Sequence, residues 1–177
     1  MTTKGKVLVL VSSGHGLPLK DGKVYTGAGY YLNELTVPVR ALMNEGYELR
    51  IIKQGRTDSP DSTSLYVPSI GLIVAGDVVY NQCRMYVGDT TPESRKNWIA
   101  ALDRLAALNP TMVVAGHKKP GAPDSPSTIQ DTKRYLEDFD RLQKTAKSDQ
   151  ELFDQMTELY PHWVANQSWL MFGFPGA

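Results

Sequence analysis

Two short stretches of the sequence each carry a metal-ligand residue type out of an apolar run. "LIVAGD" (72–77) ends on Asp77, and "VVAGH" (113–117) ends on His117. A carboxylate and an imidazole form a donor pair suited to zinc, manganese or iron. Strand ends in an α/β sheet are where side chains distant in sequence converge on a crevice. The plainer alternative is that Asp77 caps a turn and His117 bonds within a loop, since short motifs recur without function. The chain has three histidines in all, so donors are scarce. Four-coordinate zinc takes three or four N, S or O ligands. Asp58, Asp61 or His15 could complete a set, but spacing alone selects none of them. Cys83, the single cysteine, reads as a nucleophile only if something lowers its pKa, and otherwise as an inert thiol.

These residues need elements to hold them. "KVLVLV" (6–11) has the pattern of a strand buried on both faces. The Gly-, Pro- and Ser-rich stretch 12–29 follows as a loop. Over 30–47, Leu32, Leu35, Val39, Leu42 and Met43 fall on one helical face closed by Gly46, with Pro38 kinking the helix or Thr36 starting it. "ELRII" (48–52) completes a β-α-β start with parallel strands. Residues 53–64 read as polar loop. Residues 65–80 read as two strands with a turn at Pro68-Ser69, and 91–110 as a helix capped by Thr91 with Pro92 in its first turn. The apolar stripe of that helix is Trp98, Leu102, Leu105 and Leu108. "TMVVAG" is a strand. A second amphipathic helix spans 127–146, with Ile129, Tyr135, Leu136, Phe139 and Leu142 as candidate core. A third spans 148–161, with Ser148 and Glu151 at capping-box spacing. The expected class is α/β: one mixed sheet, β-α-β and then β-β-α-β-α-α, with helices packed on its faces.

Composition sets the outer limits. A chain of 177 residues is about one domain. Its 19 basic and 19 acidic residues balance, so no charge excess points to nucleic acid. No apolar run is long enough to span a bilayer, and the N-terminus reads as a strand rather than a signal peptide. One cysteine forms no internal disulfide, which fits a reducing cytosol. The "SSGHG" loop reads as an anion cradle or, more plainly, as a turn. Lys118 and Lys119 either draw an anionic substrate to His117 or are solvated. The aromatic tail, with Trp163, Trp169, Phe172 and Phe174, either covers the core or offers a contact to a second copy.

From about residue 55 to 161 the chain resembles the C-terminal half of the metallo-β-lactamase superfamily. The residues that carry the likeness are "GRTDSPDSTSLYVPSIGLIVAGDVVYN", "WIAALDRLAALNP", "VVAGHKKPG", "TKRYLEDFDRL" and "ELFDQMTELYP". The resemblance implies that Asp77 is the metal-bridging aspartate and His117 a ligand. It also implies zinc, whose bound water serves as nucleophile in a hydrolase. Two departures bear on this. The family's "G-H-T-D" loop reads "GRTD" here, which puts Arg56 where a ligand should stand, and a guanidinium has no lone pair to give a metal. The H-x-H-x-D-H string of the family's other half is absent from the sequence.

Residues 6–52 resemble a different group, the ThiJ/PfpI superfamily, through "KVLVLVSS" and "LPLKDGKVYTGAGYYLNELTVPVRALMNEGYEL". That likeness implies a role for Glu34 as the glutamate beside a nucleophile, while the nucleophilic cysteine of that family is missing. Together the likenesses predict a single domain, 1–177, fused from 1–53 and 54–177 near Lys53-Gln54-Gly55. The function they predict is a degenerate metallo-β-lactamase-fold protein, at most a weak metal-dependent hydrolase of a small molecule. Asp77, His117 and Glu34 are its candidate catalytic residues, and Asp77 and His117 its partial zinc ligands. The alternatives are a glyoxalase- or deglycase-type enzyme using Glu34 with a thiol, or a non-catalytic fusion associating through its tail.

Overall fold

A computed structural model describes residues 17–18, 24–25 and 43–164. The chain divides into two compact units, Met1–Leu49 and Arg50–Ala177. In the first, β1 (Leu17–Pro18) pairs antiparallel with β2 (Val24–Tyr25). Gly46, expected to close the first helix, has φ 84° and donates its N–H to the Met43 carbonyl. The remainder of that helix, the strand expected at 6–11 and the "SSGHG" loop lie outside the described residues.

The second unit carries β3 (Arg50–Gly55), β4 (Ser62–Val67), a short 3-10 turn (Pro68–Ile70) and β5 (Leu72–Asn81). Then come α1 (Pro92–Ala106), β6 (Met112–Lys118), α2 (Ser127–Gln143) and α3 (Asp149–Leu159). The sheet order is β3-β4-β5-β6. The first two pairings are antiparallel and β5–β6 is parallel, so the sheet is mixed and the class is α/β. The parallel pair follows from the crossover through α1, since parallel neighbours need a long connection. Three expectations need correction. The stretch 12–29, expected as a loop, contains the paired strands β1 and β2. The loop expected over 53–64 is shorter, because β3 runs on to Gly55 and β4 starts at Ser62. The last strand runs on through His117 to Lys118 rather than stopping at Gly116.

The helices form where capping and periodicity put them. Thr91 Oγ1 accepts from the Ser94 N–H while Ser94 Oγ accepts from the Thr91 N–H, a reciprocal cap on α1. Ser148 Oγ accepts from the Glu151 N–H, but the Glu151 carboxylate reaches past it to the Lys147 N–H. Trp98, Leu102 and Leu105 of α1 are buried, as are Ile129, Tyr135, Leu136, Phe139 and Leu142 of α2. They join Ile73, Ala75, Val78, Val79 and Val113 of the sheet in one core. Trp163 stacks on Tyr135 with ring centroids 5.1 Å apart, so the start of the aromatic tail is cover for the core. Trp169, Phe172 and Phe174 lie outside the described residues.

Candidate functional site

β5 does not run straight. Its ladder with β6 shifts register between Val74 and Gly76 and again between Gly76 and Tyr80. Gly76 sits at φ 59°, a left-handed conformation that costs other L-residues roughly 1–2 kcal/mol. This bulge turns Asp77 out of the ladder, with half of its side chain exposed, while Val78, Val79 and Tyr80 return to the core. A bulge leaves backbone groups without ladder partners, and each must be satisfied or it costs stability. Side chains from three elements do this. Ser64 of β4 donates to the Ala75 carbonyl (3.0 Å), Trp98 Nε1 of α1 to the Val78 carbonyl (2.8 Å), and the Tyr80 N–H donates to Thr132 Oγ1 of α2 (3.2 Å).

On the neighbouring strand, His117 places Nε2 3.2 Å from Asp77 Oδ1. The two side chains expected to meet do meet, but not at two strand ends: β5 runs on past Asp77 to Asn81, so Asp77 stands at a bulge within its strand and only His117 lies near a strand end. Gly116 makes the approach possible: a Cβ there would come within 2.2 Å of Asp77 Oδ1 and 2.6 Å of the Gly76 carbonyl carbon. The contact with Asp77 raises the His117 pKa, against the opposing effect of partial burial.

Asp58, weighed from the sequence only as a spare ligand, belongs to the same site. Its Oδ1 accepts from Thr57 Oγ1 (3.1 Å) and its Oδ2 from the Tyr80 hydroxyl (3.3 Å). Burial, followed by the negative charge of Asp77, pushes its carboxyl up to about 6. Tyr80 was missed as a site residue. It is fully buried, burial holds its phenol protonated, and its ring stacks on His117 at 4.8 Å with 26° between planes. The signal in the sequence is weak, because "VVYN" reads only as a buried strand.

The other candidates fall elsewhere. Arg56 is exposed and donates through Nη2 to the Asp89 carbonyl (3.0 Å). Lys118 is paired with Asp124, and Lys119 Nζ donates to the His162 carbonyl, so neither is simply solvated. Cys83 is buried and burial raises its thiol pKa, the opposite of an activated nucleophile. Glu34 and His15 lie outside the described residues.

The donor set does not fit a zinc ion of the kind the family implies. Among the described residues, no group of three or more His, Cys, Asp or Glu side chains could hold a metal. Asp77 and His117 satisfy each other, and Asp58 is taken up by two hydroxyls. Nor is any helix among the described residues long and apolar enough to cross a membrane.

The family model of the metallo-beta-lactamase superfamily matches residues 5–117, more than half of the 177-residue chain. The chain belongs to the metallo-β-lactamase superfamily. That match runs through residues 6–52, and the ThiJ/PfpI likeness of that stretch is not shown. Among solved structures, a metallo-beta-lactamase family protein of Thermus thermophilus shares 22% identity at a TM-score of 0.50 over 72% of this chain and 41% of that one. A metallo-beta-lactamase from Pontibacter korlensis shares 23% at a TM-score of 0.44, covering 52% and 42%. At such identities the likeness is one of fold. The chain spans less than half the length of either structure. No curated protein matches the sequence.

Proposed function

We propose that this chain is a degenerate metallo-β-lactamase-fold protein, at most a weak metal-dependent hydrolase of a small-molecule substrate. The observation that carries the reading is at Arg56. The family's loop ligand is replaced by a guanidinium that is turned to the Asp89 carbonyl and can donate no lone pair. Among the described residues, what remains is one carboxylate and one imidazole, bonded to each other. Zinc held by these two alone is short of the three or four ligands that its sites require. A cytoplasmic setting, a second copy bound through the aromatic tail, and a single domain joined from 1–53 and 54–177 go with the reading as expectations. The glyoxalase- or deglycase-type alternative needs Glu34 and a reactive thiol, and the buried Cys83 with its raised pKa speaks against it.

The test restores the missing donor. Zinc bound per chain is measured after equilibrium dialysis, for the native chain and for Arg56→His. The native chain retains zinc well below one ion per chain, and Arg56→His, which returns the residue type that the family resemblance implies at that position, binds at least about tenfold more tightly. A native chain that holds a full equivalent of zinc contradicts the proposal.

A further inference from the structure

Two strands of the sheet carry bulges, and α1 supplies a donor beside each. At the β5 bulge it is Trp98 Nε1, bonded to the Val78 carbonyl. The other bulge lies in β3, where the ladder with β4 passes from Lys53↔Thr63 straight to Gly55↔Ser62. Gln54 is the extra residue. Such a residue has no ladder partner, so its backbone groups must be satisfied from elsewhere. Arg104, in the last turn of α1, meets that need. Its Nη2 donates to the Gln54 carbonyl (3.0 Å) and to Oε1 of the same residue (3.3 Å). Gln54 is buried and Arg104 is exposed, so the grip comes from the helix surface onto an inward-turned residue. Gly55 follows at φ 75°, and there the strand ends. The next three residues are Arg56, Thr57 and Asp58. Asp58 accepts from the Tyr80 hydroxyl, and the Tyr80 ring stacks on His117. Where the Asp58 carboxyl arrives thus depends on the angle at which the chain leaves the bulge.

We infer that Arg104 is a positioning residue of the site: by holding Gln54 it fixes the β3 bulge, and the bulge delivers Asp58 to Tyr80. It acts through the β3 backbone. The inference rests on the proposed function only in taking Asp77 and His117, with Asp58 and Tyr80 beside them, as the site. It concerns the metal-free chain and stands whether or not zinc binds.

The test is the carbon resonance of the Tyr80 ζ position, the ring carbon that bears the hydroxyl and follows its hydrogen bonding. It is recorded on the metal-free full chain at fixed pH and assigned by its loss in Tyr80→Phe. Asp58→Ala removes the acceptor and sets the full displacement. Arg104→Met keeps side-chain length and helix propensity while removing the donor. It moves the resonance in the same direction by at least about half that displacement, and adds nothing in the Asp58→Ala background, because the bond it acts on is gone. Arg104→Lys, with a single ammonium in place of the planar fork, gives a smaller displacement. A role confined to stability would lower the unfolding midpoint and leave the ζ carbon in place. The Trp98 indole N–H resonance reports that the fold is kept. A ζ carbon at its native position in folded Arg104→Met overturns the inference, as does an equal effect of that substitution with and without Asp58. Should Arg104→Met not fold, a native position in Arg104→Lys overturns it instead. Zinc plays no part in this readout, so failure here leaves the metal reading untouched, and the reverse also holds.

Discussion

Asp58 is the residue at which the site pays most visibly for its own burial. Its carboxyl ordinarily titrates near 3.8 and is pushed to about 6, first by burial and then by Asp77, with Thr57, Tyr80 and His117 opposing. The folded chain thus holds a proton that the unfolded chain releases. Stability from this group is present below about pH 4 and is lost as pH rises through 6. His117 acts in the same sense: its pKa is raised above 6.5, so its contribution is full below that value and fades as pH climbs through the folded-state pKa. Asp58→Asn keeps the shape without the charge, and the Thr57 and Tyr80 hydroxyls can rotate to suit it. The variant is expected to be more stable than the native chain at pH 8 by about 2 kcal/mol, a gap that closes at pH 4, read from urea midpoints at the two pH values. An equal effect at both would show that Asp58 does not titrate in this way. Asp77 and His117 were legible in the sequence because each follows Ala-Gly at the end of an apolar run. Asp58 and Tyr80 were not, because burial and stacking depend on a partner strand that no local pattern reveals.

Periodicity identified α1 and α2 and most of the apolar residues they bury, since a helix advertises its core side every three or four residues, while α3 was legible from its cap. It did not reveal the β5 bulge, because "LIVAGDVVYN" reads equally well as a straight strand. The bulge depends on helices far along the chain, and Thr132 of α2 is the clearest case. Its hydroxyl accepts from the Tyr80 N–H and lies 2.7 Å from the Thr128 carbonyl, to which it donates. Thr132→Val is nearly isosteric and strands a buried N–H, at a cost of about 1–3 kcal/mol, whereas Thr132→Ser keeps the hydroxyl and most of the stability. Denaturant unfolding of the two variants side by side checks this, and equal losses would point to lost packing instead. Arg95 was hidden for a related reason. An arginine on an amphipathic helix reads as a solvated charge, yet this one is fully buried against Asp140 (2.5 Å) and Gln143 (2.6 Å) of α2. Only the approach of the second helix shows why.

For the chain taken entire, the superfamily and the α/β class follow from motifs and element order, and the match to residues 5–117 agrees with both. Activity is another matter, because fold and chemistry separate where ligands are lost. Zinc hydrolysis needs several donors at one point. In the proposed reading, this sequence keeps an aspartate and a histidine for that role, sets Arg56 where the resemblance implies a ligand, and carries three histidines altogether. In that reading Asp77 and His117, both partly exposed, are bonded to each other, and the His117 ring stacks on Tyr80, whose hydroxyl donates to Asp58. The most direct trial of that claim is the nitrogen spectrum of the His117 imidazole, recorded on the full chain as zinc is added to one equivalent. Nε2 is predicted to keep the resonance of a protonated nitrogen that donates to Asp77, unmoved by the metal. A shift to the metal-bound position, complete at one equivalent, would contradict the account.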